Sequence, residues 1–319
     1  MSMRDGMDGA GGSTLGTALL PESLGTEEIF SPVGAPEPEP RTQWQLVRRR
    51  FLKHRVAVVS GLVLIVLIVM CFGAKWIAPY DKGQQDLLLG PTGPSREHWM
   101  GTDNLGIDQY TTLLYAGQIS LKIGIAVAFL STLFGAIIGA VAGYFGRWSE
   151  QLLMRITDLF LIVPAIAVLA IALKYFGHTV NWIIVVLAAL GWMYVARVVR
   201  GQVLALKEKE FVEAARASGA SSTRIISRHI LPNCIGPILV NATLAIAGAI
   251  IAESTLSFLG FGIQIPDESW GHMLSSAEGN YDVNTHLLYF PGLMILITVM
   301  CVNFLGDGLR DAFDPQSRH

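Results

Sequence analysis

The chain has 319 residues, of which 52% are apolar and only 15% charged, and its mean hydropathy is +0.48. An ordinary soluble domain is about 25% charged, and here long uncharged runs alternate with short charged ones, so the composition excludes a pair of soluble domains and points to a polytopic membrane protein. The formal net charge of −2 is a cancellation between an acidic N-terminal tail and basic membrane-flanking loops, and gives no reason to expect a nucleic-acid partner.

In chain order the first segment is residues 1–43. Its first forty residues hold seven glycines, five prolines and seven acidic groups, with Phe30 the one aromatic. Such a segment cannot bury enough surface to offset its ordering entropy, so a disordered cytoplasmic tail is expected. It lacks the apolar core and cleavage pattern of a signal peptide. Residues 44–112 are expected to hold an amphipathic helix, a first transmembrane helix and an extracytoplasmic loop. Arg48, Arg49, Arg50, Lys53 and Arg55 interleave with Trp44, Leu46, Val47, Phe51 and Leu52, the pattern of a basic amphipathic stretch at the cytoplasmic lipid surface. The first span is the 19 uncharged residues between Arg55 and Lys75, about 28 Å as helix and long enough to cross the hydrocarbon core.

Residues 113–319 are expected to form a five-helix core. The second span lies within the 24 uncharged residues between Lys122 and Arg147. The third lies between Asp158 and Asn181, with a kink at Pro164. The fourth runs from Val180 to Ala196, the fifth from about Ile235 to Phe258, and the sixth between Asp282 and Asp307. With the N-terminus inside, 18 of the 23 Lys and Arg residues fall on the cytoplasmic side, a bias that fixes the orientation and puts both termini in the cytoplasm. The fold class that follows is an all-α polytopic membrane protein with six transmembrane helices.

Catalytic chemistry is not indicated. The seven histidines show no metal-binding spacing, and there is no nucleophile elbow and no phosphate-binding loop. Cys71, Cys234 and Cys301 sit singly in or beside apolar runs and read as small apolar residues. No metal or cofactor site is therefore expected in this chain. Gly135, Gly139 and Gly143 recur every fourth residue in the second span, a spacing that suits close helix packing in lipid. Glu253 is an ionisable group in the fifth span, and with Ser257 it is the candidate for a translocation path or gate. The alternative is a carboxylate satisfied by local hydroxyls such as those of Ser254 or Thr255. Trp270, Tyr281 and Tyr289 suggest an outer aromatic belt.

The most informative segment is the cytoplasmic loop 201–233. Glu210 to Ala217 favour a short helix, Gly219 can take the left-handed conformation that closes it, and Ser221 or Ser222 can cap a second helix running towards Pro232. Ala214, Ala215 and Ala217 make a narrow surface that another protein could approach closely, with Glu213 and Arg216 as polar anchors.

Glu213-Ala-Ala, then Gly219, then Ile230-Leu231-Pro232 resembles the EAA loop of binding-protein-dependent ABC importer permeases. Arg228 to Asn233, reading Arg-His-Ile-Leu-Pro-Asn, is similar to the peptide/nickel branch. So are His98-Trp-Met-Gly-Thr-Asp103-Asn-Leu-Gly-Ile-Asp108, which departs from the branch pattern at Trp99, Met100 and Ile107, the run Glu253-Ser-Thr-Leu-Ser257-Phe-Leu-Gly260, and the ending Asn303 to Pro315. The resemblance covers about residues 45–316. It implies a MetI-like permease core with an additional N-terminal span, the C-type subunit of a bacterial cytoplasmic-membrane importer for di- or oligopeptides. It also implies a B-type second permease, two ATP-binding subunits that carry ATP and Mg, and an extracytoplasmic substrate-binding protein. Glu210, Glu213, Ala214, Ala215, Arg216, Ala217, Gly219 and Ala220 are the residues it assigns to the ATPase contact, as a coupling helix. A nickel or metal-chelate importer on the same scaffold, and a non-transporting membrane scaffold or sensor, are the alternatives.

Overall fold

The computed structural model describes residues 43–280 and 284–313, and the expected disordered tail lies outside them apart from its last residue. Twelve α-helices follow in order among the described residues: α1 Gln43–Lys53, α2 Arg55–Phe72, α3 Ala74–Ile77, α4 Gln109–Phe145, α5 Arg147–Ile162, α6 Ala165–Phe176, α7 Val180–Leu206, α8 Glu210–Ala217, α9 Ser222–Ile225, α10 Ile235–Phe258, α11 Trp270–Ala277 and α12 His286–Phe313. A π-helical turn, Ile226–Ile230, and a 3-10 turn, Leu231–Cys234, join α9 to α10. Helices α2, α4, α7 and α12, and the run Ser222–Phe258, are each long and apolar enough to cross a membrane.

The sixth span is the pair α5–α6, bent by 87°. A kink within one helix is what the sequence suggests at Pro164, and the break is larger than that. Proline lacks the N–H that would bond back one turn, and it drives the preceding residue out of the helical region. Val163 is accordingly extended, at φ −74° and ψ 134°, and Pro164 starts α6 as its cap. The 12 residues of α6 span about 18 Å, too short for the hydrocarbon core without α5.

Packing fixes the topology. A Cβ placed on Gly135 would lie 2.6 Å from the Trp192 carbonyl oxygen and 2.6 Å from Val195 Cβ. On Gly143 it would lie 2.9 Å from the Arg200 carbonyl oxygen and 2.9 Å from Val203 Cβ, and Gly139 faces Ala196 and Val199 in the same way. Residue numbers rise together on the two helices, so α4 and α7 run parallel and the chain must recross the membrane between them, through α5–α6. Helix α12 runs antiparallel to both α2 and α10: Gly308 meets Ala57, Gly306 meets Thr243, and Phe313 meets Gly236. The fourth span continues beyond Ala196 to Leu206 because Arg197 and Arg200 are paired across to Asp158 and Glu150 of α5.

The outer segment before α4 is held by its own side chains. Asp108 Oδ2 accepts the Thr111 N–H at 2.8 Å, capping α4, while its Oδ1 meets His98 Nδ1 at 2.9 Å. His98 in turn stacks on Tyr80, ring centroids 4.8 Å apart. Asp103 Oδ1 accepts the N–H groups of Leu105 and Ile107, and the Thr102 hydroxyl donates to the Gly90 carbonyl at 2.7 Å. The 98–108 motif is thus a folded knot that caps a transmembrane helix. Trp270 differs from expectation: it is fully buried rather than part of an outer belt. Its indole N–H donates to the Leu113 carbonyl at 3.0 Å and its backbone N–H to Ser120 Oγ at 3.1 Å. Tyr289 is exposed, and Tyr281 lies outside the described residues.

The glycine contacts lead to a contrast. Gly139→Leu should destabilise the chain by about 1–3 kcal/mol or more, because backbone on α7 cannot move aside. Gly201, also on α7, has open space around a Cβ, so Gly201→Ala should be neutral or stabilising by up to about 1 kcal/mol. Denaturation of the purified complex in detergent by increasing SDS reads both, and equal effects would show that the α4–α7 contact does not hold the fold.

Candidate functional site

Helix α8 stands between α7 and α9 on the side carrying the basic loops. Glu210 and Glu213 lie in its first turn and Arg216 in its last, each placed to complement the helix dipole. It ends in a Schellman arrangement: the Ala220 N–H donates to the Ala215 carbonyl at 3.1 Å and the Gly219 N–H to the Arg216 carbonyl at 3.0 Å. Gly219 supplies the left-handed conformation this needs, at φ +78°. Ser221 Oγ then accepts the Arg224 N–H at 3.4 Å and starts α9.

Burial divides the helix in two. Val212 is fully buried and packs in one cluster with Val199 and Val203 of α7, Ile225 of α9, Ile230 and Cys234, and half-buried Ala215 and Ala220 lie against that cluster. Glu210, Phe211, Glu213, Ala214, Arg216, Ala217 and Gly219 face outward. The alanines singled out in the sequence therefore do two jobs, Ala215 seating the helix and Ala214 and Ala217 keeping its outer face low. Phe211 adds a large apolar side chain, 41% exposed, to that outer face. It is missed by motif reading, although an aromatic beside buried Val212 breaks the amphipathic pattern and could have flagged it.

Gly135, Gly139 and Gly143 line the α4 face against α7, inside this chain. Glu253 and Ser257 lie elsewhere, at the far end of α10 from the α8 loop, and are buried, with no side-chain surface open to a passing solute in this conformation. Glu253 Oε1 accepts from Ser257 Oγ at 2.7 Å and from Ser269 Oγ at 2.6 Å. The hydroxyls that hold it are therefore not those of Ser254 and Thr255; Thr255 donates to the carbonyl of Ile251 instead. This cluster fastens the start of α11 onto α10. No group of three or more His, Cys, Asp or Glu residues that could hold a metal is present among the described residues.

A polar cleft of about 540 Å³ opens between the outer loop and the segment before α11, lined by Lys82, Asp103, Glu268 and His272 among others. Burial, and secondarily the nearby Asp103 carboxylate, push the Glu268 carboxyl above its ordinary range, against the opposing pull of Lys82. Burial likewise lowers His272. A raised carboxyl means that the folded chain holds its proton longer than the unfolded chain, so stability falls as pH rises from the ordinary glutamate range to the raised value. Glu268→Gln should therefore raise the thermal midpoint at neutral pH and leave it unchanged well below the ordinary glutamate range. A gain that persists at acid pH would mean that the carboxyl's charge is not the cause.

Residues 135–319 match the family described as binding-protein-dependent transport system inner membrane component, and residues 42–91 match the N-terminal transmembrane domain of oligopeptide transport permease C. The oligopeptide transport system permease protein OppC of Haemophilus influenzae is 39% identical over 92% of this chain and 94% of its own length. The OppC protein of Mycobacterium tuberculosis is 41% identical over 86% of this chain and 94% of its own. The glutathione transport system permease protein GsiD of Escherichia coli is 40% identical over 86% of this chain and 91% of its own. Among solved structures, a chain of the inward-facing MetNI methionine ABC transporter superposes with a TM-score of 0.54 at 18% identity, covering 64% of this chain and 96% of that one, a likeness of fold. The matched family regions, the relatives of similar length and the helical bundle agree: the chain belongs to the binding-protein-dependent transport system inner membrane components, as a multi-pass bacterial inner-membrane permease and not itself an ATPase.

Proposed function

We propose that this chain is the C-type permease of an ATP-driven importer of di- and oligopeptides, paired with a B-type permease, two ATP-binding subunits and an extracytoplasmic binding protein. Relatives of nearly full coverage that are named for oligopeptide and glutathione transport support the peptide reading. ATP and Mg belong to the partner subunits.

The observation that carries the mechanical part is the two-sided character of α8. Its inner side is locked by Val212 to α7 and to the turns that lead into α10, while its outer side presents Glu210, Phe211, Glu213, Ala214, Arg216 and Ala217. A groove on an ATPase subunit that holds this outer face can displace α8 as a rigid body. Displacement reaches α7 through Val199 and Val203 and reaches α10 through Ile230 and Cys234. Closure of the ATPases on ATP then reorients the spans and passes the peptide inward.

Gly219→Pro tests the assignment. Proline cannot donate the N–H that closes α8 and cannot adopt φ +78°. Uptake should fall by about tenfold or more, corresponding to about 1.4 kcal/mol or more of lost coupling, while ATP hydrolysis continues and the chain still inserts. Gly219→Ala keeps the N–H, bears a left-handed cost of about 1–2 kcal/mol, and should be intermediate. Peptide uptake and ATP hydrolysis measured side by side in proteoliposomes decide it, and normal uptake by the proline variant would count against α8 as the coupling element.

A further inference from the structure

A groove of about 410 Å³ runs between α4, α6, α7 and α10, and no charged side chain lines it. Three polar side chains line it; Ser131 is fully buried and donates to the Ala128 carbonyl at 3.3 Å, which leaves Tyr194 and Asn241 as the accessible two. Tyr194 on α7 is 67% exposed, and no described residue hydrogen-bonds its hydroxyl. Asn241 on α10 donates to the Pro237 carbonyl at 2.8 Å, which leaves its amide oxygen free among the described residues. Asn241 lies about 9 Å inside the start of α10, within the apolar run Ser222–Phe258 that is long enough to cross a membrane. Polar groups at that depth face protein or water rather than lipid.

The next turn of α7 towards the cytoplasm carries Arg197, which donates to Asp158 at the edge of a second cleft of about 510 Å³. Six of that cleft's eight lining residues are charged. The groove and this cleft thus lie on successive turns of α7, with separate linings. On its α10 wall Gly248 is exposed, and a Cβ there would meet nothing within 4 Å.

We propose that this groove is the chain's wall of the translocation path, and that Tyr194 and Asn241 serve as hydrogen-bonding rungs for the main chain of an extended peptide in transit. This rests on the peptide-importer reading above. The chemistry fits a peptide backbone: a phenol can donate and accept, an amide oxygen accepts an N–H, and the walls between them are small or apolar. With no charge in the lining, the groove passes side chains of either sign, and selection by side-chain charge belongs to another part of the importer.

The test uses the assembled transporter with its partner subunits in membrane vesicles. Tyr194→Cys and Gly248→Cys are compared with Val66→Cys on α2, which is exposed on the isolated chain and away from the groove. Native Cys71 and Cys234 are buried and Cys301 is half-buried, so the unmodified complex supplies the background. A water-soluble maleimide should label positions 194 and 248 about tenfold faster than position 66, as expected for water-facing against lipid-facing sites. Turnover with binding protein and tetra-alanine should slow that labelling. Labelling as slow as at position 66 would mean that lipid or the second permease fills the groove, and would overturn the proposal. Labelling that tetra-alanine does not slow would remove the peptide as occupant and overturn it equally. Failure of the peptide-importer reading is read separately, in the unmodified complex, from whether binding protein and tetra-alanine stimulate ATP hydrolysis.

Discussion

The parallel contact of α4 with α7 is the constraint on which the remaining architecture depends. In lipid there is no hydrophobic drive to bring two apolar helices together, so close approach has to come from van der Waals contact between backbones. Gly135, Gly139 and Gly143 make that approach possible by leaving the carbonyls of Trp192, Ala196 and Arg200 directly against α4. Two parallel helices that are neighbours in space cannot be joined by a short loop. The intervening 34 residues, Gly146 to Thr179, must carry the chain back across the bilayer.

That return strand is the least regular span of the bundle, and the irregularity has a use. Because Pro164 splits it at 87°, α5 lies over the cytoplasmic half of α7, where Glu150 and Asp158 reach Arg200 and Arg197. Helix α6 covers the outer half, where Leu169 and Leu173 pack with Ile183 and Leu187. The bend also leaves room between α6, α7 and α10, which is the groove onto which Tyr194 and Asn241 open. Packing of one helix pair thus leads, through a forced recrossing and one proline, to the shape of this groove.

How far the sequence alone reaches depends on the range of the interaction. The spans were legible because charge is excluded from hydrocarbon, and the ends of α8 were legible because capping is local: Glu210, Ala217 and Gly219 lie where propensity puts them. The partners of Glu253 were not. Ser257 is one turn away, but Ser269 comes from beyond a loop, and no local rule brings it back to α10. Trp270 shows the same limit, since its burial depends on Leu113 and Ser120 of α4, about 150 residues earlier in the chain. Pro164 announced a distortion, but not its size, an 87° bend between α5 and α6. Tyr194 and Asn241 carry no motif, and their place on one groove is visible only once four helices are assembled.

The connection from α9 to α10 bears on how motion could be transmitted. The run from Ser222 to Phe258 is helical in character throughout, but it passes through a π turn and then a 3-10 turn over Ile226–Cys234. Such transitions inside a helix weaken the regular hydrogen-bond ladder and mark a hinge. Pro232 explains part of the irregularity, because it removes one donor from the turn. Asn233 restores one bond by donating to the His229 carbonyl at 2.6 Å. The buried residues of the same turns, Ile230 and Cys234, belong to the cluster that also holds Val212 of α8. Under the coupling role proposed for α8, its displacement would press on the irregular turns before α10 and on the unbroken helix α7, so the two helices facing each other across the groove would be loaded differently.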